Sequence, residues 1–331
     1  MSFSNLTPYA ALDVPYLDPR GNDVVIAIVK ATYVVSARGE VSLADEQAPI
    51  RVADVMWNVE DPKSSVKLPT DVSNQKHGAD VVVVGEAVSS KPASVLDVAL
   101  KVRDRTVSLR VHGPRWFHRA PLGGVVIGEA ARVERVPLMW EKSYGGMSAD
   151  LMVVEERNPS GVGVAARDAD LVDTPAPQIE DPSRPHRSSR DKHPPVGVGP
   201  IMTHWLPRRS YAGTYDEAWK STRMPLMPLD YDRRYENFAP PALVFADGVH
   251  AGDLFSMVGM TTDSLFQFAL PELGVVFRAR HHASGRVVHR AVVDTVVIEP
   301  GRRRFEIAAR RSFSVGRAKD VLLELAVDHV D

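Results

Sequence analysis

The sequence predicts a mainly β fold: an antiparallel β-sandwich or barrel-like set of sheets, with few short helices and one long Pro-rich irregular segment. Three observations carry that expectation. Apolar runs are short and rich in Val and Ile, residues that suit a pleated, half-buried surface. Turn residues punctuate them at close intervals, as in sandwiches and barrels. No heptad, solenoid period or low-complexity tract competes with this pattern.

The elements follow in chain order. Val24–Val29 and Ala31–Val35 form a long apolar stretch, and the turn Ala37-Arg38-Gly39-Glu40 leads into Val41-Ser42-Leu43; this predicts a long strand and a hairpin. Val81–Val84 ends at Gly85, a buried strand meeting a bend. Val95–Val102 and Thr106–Val111 flank Arg103-Asp104-Arg105, a second hairpin, and Gly124 to Met139 continues in the same style. These strands make up an N-terminal half, residues 1–157.

Residues 158–207 differ in texture, with prolines, glycines and charges crowded together. Such a stretch cannot bury enough apolar surface to build its own core, so it is expected as a long surface excursion or a connection between lobes. In the C-terminal half, residues 208–331, strands return at Leu265–Leu270, Gly274–Arg280, Arg286–Arg290, Asp294–Ile298 and Arg304–Ala309. Tyr215–Lys220 predicts a short helix with Thr214 or Asp216 as N-cap. Ala318–His329 predicts a terminal amphipathic helix, with Leu322, Leu325, Ala326 and His329 on one side.

Composition excludes several function classes. Among 331 residues, a net charge of -2 supplies no field towards nucleic acid or anionic lipid, so neither is expected as a partner. The arginine clusters at 302–304 and 310–311 sit among apolar strand residues and read as a solvated face. With no cysteine, a disulfide framework, thiolate zinc sites, Cys nucleophiles and iron–sulfur clusters are all ruled out. The start, Met1-Ser2-Phe3-Ser4-Asn5-Leu6, lacks the basic and apolar regions of a secretory signal. No apolar run approaches the roughly 20 residues of a membrane span. A soluble cytoplasmic protein is expected.

Motifs that could carry chemistry are weak. Gly161, Gly163 and Ala166 match G-x-G-x-x-A, but Glu155–Pro159 separates them from the preceding apolar run and Asp168 and Asp170 stand where a helix should build. Ser64 and Lys67 match S-x-x-K between two prolines, a poor setting for the helix that pattern needs. The 11 histidines are scattered, and none falls into a metal-ligand spacing. Asp230 and Asp232 lie two apart beside Arg233 and Arg234, which reads more simply as structural ion pairs than as an acid–base site. No cofactor or metal is expected.

Trp205 to Pro241 is the most unusual stretch, with seven aromatic residues interleaved with five prolines. Aromatic rings offer large contact area at low entropy cost, and prolines preset the backbone. The segment reads equally as a rigid recognition surface and as a buried plug between sheets.

Within it, Gly213-Thr214-Tyr215-Asp216-Glu217-Ala218-Trp219, then Arg223-Met224-Pro225-Leu226-Met227-Pro228-Leu229-Asp230-Tyr231-Asp232-Arg233-Arg234, then Asn237-Phe238-Ala239-Pro240-Pro241 resembles the hallmark of the domain-of-unknown-function family numbered 2169. Upstream motifs agree in order: Lys76-His77-Gly78-Ala79-Asp80, Gly113-Pro114-Arg115-Trp116, Trp140-Glu141-Lys142-Ser143-Tyr144-Gly145-Gly146 and Glu156-Arg157-Asn158-Pro159-Ser160-Gly161. The resemblance spans one family domain, about 23–313. It implies a bacterial type VI secretion adaptor or chaperone that binds a toxic effector and helps to mount it on a VgrG-type spike. The family brings no agreed catalytic residues. The motif positions Trp140, Gly145, Gly146, Gly213, Thr214, Tyr215, Asp216, Trp219, Pro225, Pro228, Asp230, Arg233, Asn237, Pro240 and Pro241 are therefore expected to be structural or partner-binding. Ala242-Leu243 departs from the acidic or amide residue usual after the double proline, so no polar role carries over there.

Two other readings are open. A hydrolase-like enzyme would need Asp230, Asp232 and His204 to converge on a cleft. A carbohydrate-binding sandwich would use Trp205, Trp219 and Tyr215 as a stacking platform.

Overall fold

The computed structural model describes residues 1–263, 265–316 and 320–330. The first long apolar stretch becomes a single strand, Asp23–Val35, because Arg304–Ser314 pairs along it from Val24↔Ser314 to Val34↔Arg304. These two form the centre of a seven-stranded sheet. Its order is Val244–Phe245, Ala79–Val83, Val293–Glu299, Arg304–Ser314, Asp23–Val35 and Ala10–Leu17, with Val41–Leu43 joined to the far end of Asp23–Val35. All its pairings are antiparallel except that of Ala79–Val83 with Val293–Glu299.

A five-stranded sheet runs Ile179–Glu180, Arg105–His112, Val95–Val102, Leu254–Val258, Phe266–Ala269. A four-stranded sheet runs Ser2–Asn5, Leu322–His329, Val275–His281, Gly285–Arg290. The first two sheets each take strands from both halves of the chain. No sheet closes into a barrel among the described residues.

A stack of four rings joins the two larger sheets. Tyr33 lies on Phe305 at 5.3 Å, Phe305 on Phe268 at 4.1 Å, and Phe268 on Phe255 at 5.2 Å. The first pair belongs to the seven-stranded sheet and the second to the five-stranded one, so their apolar faces meet as a sandwich. Each such contact adds roughly 1 kcal/mol beyond area burial.

One expectation is corrected. The C-terminal segment is a strand, Leu322–His329, rather than a helix; residues 318 and 319 lie outside the described residues. Its apolar spacing suited a helix, but pairing with Val275–His281 turns Leu325 and Val327 inward by strict alternation, and a bulge at Arg280/His281 lets Leu322 join them. The Pro-rich segment 158–207, expected as a surface excursion or a connection between lobes, packs part of its length against the sheets. Ile179–Glu180 pairs with Arg110–Val111, and Leu171, Ala176, Ile179, Val198, Ile201 and Trp205 are buried. Some of its backbone groups bond within its own turns, as Thr174 N does to Leu171 O, and others bond to distant segments, as when Gln178 O accepts from His112 N.

The other face of the seven-stranded sheet is polar yet buried. Register places Asp80, Thr295, Ala308 and Lys30 in one cross-strand row. Lys30, Thr32, Asp80, Thr295, Glu306 and Arg310 are all enclosed, and the segment between Leu43 and Ala79 supplies many of their partners. Lys30 donates to Asp71 at 2.6 Å, and Arg51 bridges Asp71 at 3.1 Å and Glu306 at 2.6 Å.

Candidate functional site

The separate sequence motifs meet on this scaffold. Asp80, fully enclosed in its strand, accepts from Lys76 Nζ at 2.7 Å, Asn237 Nδ2 at 3.0 Å, and the backbone N–H groups of Phe238 and Ala239 at 3.2 Å each. Lys76 also donates to Thr295 Oγ1 at 2.7 Å and stands 3.7 Å above the Phe238 ring. Burial lowers the Lys76 pKa, and Asp80 opposes that fall. The Lys76–Asp80 motif and the Asn237–Pro241 motif are thus one buried junction.

A second junction gathers the middle motifs. Asn158 is fully buried and donates through Nδ2 to the carbonyls of Trp140 at 2.9 Å and Tyr144 at 3.0 Å. Gly145 (φ 152°) packs so closely there that a Cβ would lie 2.2 Å from the Asn158 carbonyl. Gly146 follows, donating its N–H to that same carbonyl at 2.8 Å. Trp140 Nε1 donates to Pro200 O at 2.9 Å, and its ring meets Trp205 edge-on at 5.9 Å. Beside them, Glu180 accepts from Arg115 and contacts His112, each at 2.8 Å. Burial on its own would raise the Glu180 pKa, but bonds from His112, from His186 and from Arg115 hold it far below the usual carboxylate range.

From Gly213 to Asp230 the chain forms an exposed finger. The helix Glu217–Thr222 is capped by Asp216, which accepts from Trp219 N at 2.7 Å. Asp230 accepts from Thr214 N at 3.0 Å and Thr214 Oγ1 at 2.7 Å, closing the finger at its base. Gly213 (φ 88°) allows this, since a Cβ would sit 2.7 Å from Pro228 Cβ and 2.9 Å from Asp230 Oδ1. Tyr215 packs on Trp219 at 4.7 Å, and Trp219 Nε1 donates to Leu226 O at 2.8 Å. Arg223 Nη2 ties the finger to Pro19 O at 2.6 Å. Pro225 follows a cis peptide bond and is exposed, as is Arg233, while Pro228 is buried. The aromatic–proline stretch is therefore divided: Gly213 to Asp230 is mostly exposed, whereas Trp205 and Glu236 to Pro240 are buried.

Two adjoining cavities lie where these parts come together. A groove of about 600 Å³ has Thr106, Val107, Ser108 and Leu109 along one side and Trp140, Ile201, Pro207, Pro240 and Pro241 among its other walls. A recess of about 220 Å³ shares Ile201, Pro207 and Pro241 with it and adds His77, Arg208, Tyr211 and Arg234. Arg208 donates to Tyr235 O at 2.7 Å and Ile201 O at 2.9 Å, and burial pushes its pKa down.

The groove runs along an open strand edge. A two-residue turn links Val102 to Arg105, so residues 105, 107 and 109 exchange backbone bonds with the sister strand. Thr106, Ser108, Arg110 and His112 turn their N–H and C=O groups the other way. Arg110 is covered by its pairing with Glu180, and His112 N donates to Gln178 O at 2.7 Å. Thr106 and Ser108 are exposed and have no backbone partner there among the described residues. Sequence alone marked the hairpin but not this edge, which depends on Ile179–Glu180 being only two residues long.

The residues of the alternative readings are engaged separately. Asp232 accepts from Arg234 N at 2.8 Å and from its guanidinium at 2.6 Å, and Arg234 holds its pKa down. Asp230 is taken by Thr214, and His204 Nε2 accepts from Trp205 Nε1 at 3.1 Å. None of the three contacts another. Trp205 is fully buried, so it shares no platform with the exposed Tyr215. Ser64 contacts Glu141 while Lys67 lies 5.0 Å over Trp57, so that pair has no nucleophile geometry. Gly161 and Gly163 lead into a 3₁₀ turn at Asp168–Leu171, not a dinucleotide-type helix. Among the described residues, no cluster of His and carboxylates is placed to hold a metal ion, and no helix is long and apolar enough to cross a membrane.

No curated protein and no solved structure matches this chain. Residues 20–310 match the model of domain-of-unknown-function family 2169, described as an uncharacterized protein conserved in bacteria; the chain that joins its motifs through Asp80 and Asn158 belongs to that family.

Proposed function

We propose that this protein is a non-catalytic cytoplasmic adaptor that binds a type VI secretion effector and assists its loading onto a VgrG-type spike. One observation carries the reading. Motif residues Trp140, Pro240 and Pro241 wall a groove beside an unpaired strand edge, on a scaffold whose buried Lys76–Asp80 and Arg115–Glu180 pairs are committed to structural junctions. Such a scaffold offers a partner shape and backbone hydrogen bonds rather than a reacting group. Neither nucleic acid nor membrane is a partner in this reading, since the net charge of -2 supplies no steering field.

Co-expression with a toxin encoded beside the gene tests it. The expected result is a complex that survives size-exclusion chromatography and binds the spike protein only when the toxin is present. Separate elution of chain and toxin, with the toxin soluble and folded, would contradict the proposal.

A further inference from the structure

The groove and the recess share a wall, and groups able to bond an incoming partner lie on both sides of it. On the groove side, the outward N–H and C=O groups of Thr106 and Ser108 have no backbone partner among the described residues. On the recess side, Arg208 is half-buried and spends two nitrogens on backbone carbonyls; Asp80 and Glu236 act on it from a distance, and no carboxylate of the described residues lies within 4.0 Å of it. Among the described residues no acidic side chain lines the recess, while Arg234 and His77 do. A half-buried guanidinium beside an apolar recess favours an incoming anion, and open sheet edges are ordinarily covered. The open edge and the cationic recess complement a single occupant.

Building on the adaptor reading, we propose that an extended segment of the partner protein pairs its backbone with Thr106 and Ser108, continuing past the end of Ile179–Glu180, and sends an Asp or Glu side chain across the wall of Ile201, Pro207 and Pro241 to Arg208. Main-chain bonds along the edge supply affinity, and the apolar groove selects alternate side chains of the incoming strand. The guanidinium selects the carboxylate, through the charge-assisted geometry that arginine favours.

Random dodecapeptides displayed on phage, selected on the purified full chain, test this directly. Enriched sequences should alternate apolar residues and carry one acidic position. For the synthetic peptide, replacing that acid by its amide should weaken binding about tenfold. Ser108→Pro should abolish binding while leaving the fold intact, because the Ser108 N–H takes no part in the native ladder. Arg208→Gln should bind the acid and amide peptides equally, a loss of discrimination that a purely structural role would not produce. If Arg208→Gln fails to fold, salt titration of the wild-type complexes decides: only the acidic peptide should lose affinity as salt rises. No enrichment, undiminished binding by Ser108→Pro, or discrimination that persists in Arg208→Gln or is insensitive to salt would overturn the inference. Toxin that co-purifies equally with wild type and Ser108→Pro would leave the adaptor reading standing and remove this one. Toxin that co-purifies with neither would remove the adaptor reading instead.

Discussion

Asn237 donates a hydrogen bond to Asp80 across 157 positions of sequence, at 3.0 Å and in the buried interior. With Lys76 on the other carboxylate oxygen, this contact fixes where the Pro240–Pro241 wall stands relative to the seven-stranded sheet.

Removing Asp80 is therefore expected to be worse than removing Lys76. Asp80→Ala strands a buried ammonium and leaves the Phe238 and Ala239 N–H groups unpaired, costing about 3–5 kcal/mol. Lys76→Met leaves Asp80 with three donors and costs about 1–3 kcal/mol. Urea unfolding followed by tryptophan fluorescence checks the order.

Gly145→Ala places a Cβ against the Asn158 carbonyl in a backbone conformation that L side chains rarely adopt. It is expected to destabilise by about 3 kcal/mol or more. Gly301→Ala, with open space around it, is the control and should shift the thermal midpoint little.

Glu180 makes a prediction about pH. Its folded pKa lies far below its ordinary value near 4.5, so the stability it contributes is fully present above that value and is lost as pH falls towards the folded pKa. At neutral pH, Glu180→Gln should lower stability by about 3 kcal/mol, because Arg115 loses its partner. Below about pH 4 the gap between variant and wild type should narrow, since the wild-type carboxylate is then losing its advantage. Chemical unfolding at a series of pH values measures both.

The exposed finger should respond locally. Asp216→Ala removes the helix cap, at a cost of about 1 kcal/mol to Glu217–Thr222. Hydrogen exchange should speed up at Trp219 and Lys220 while the global unfolding midpoint stays put, because the finger contributes little to the core.

Much of the fold was legible in the residues. The Val24–Val35 stretch, the Arg103-Asp104 hairpin and the Asp216 cap all obeyed local rules, and local rules were sufficient there. What escaped was set by distant partners. Lys30, Glu306 and Arg310 alternate with apolar neighbours as solvent-facing residues would, yet they are buried because the loop after Leu43 covers that face. Leu322 to His329 carried a helical spacing that strand pairing overrode. The Pro-rich segment contains too little apolar surface for a core of its own, but lends Ile179 and Trp205 to the cores of others. Of the candidate site, sequence supplied Trp140, Pro240 and Pro241; Arg208 and the edge at Thr106 and Ser108 became visible only once chain-distant elements were brought together.

The most direct measurement is toxin delivery by cells from which this gene has been deleted. If the protein carries a toxin to the spike, the deletion strain should cease to secrete that one toxin while continuing to secrete the tube and spike proteins, and the chain itself should stay inside wild-type cells. Unchanged toxin secretion without the gene would contradict the account.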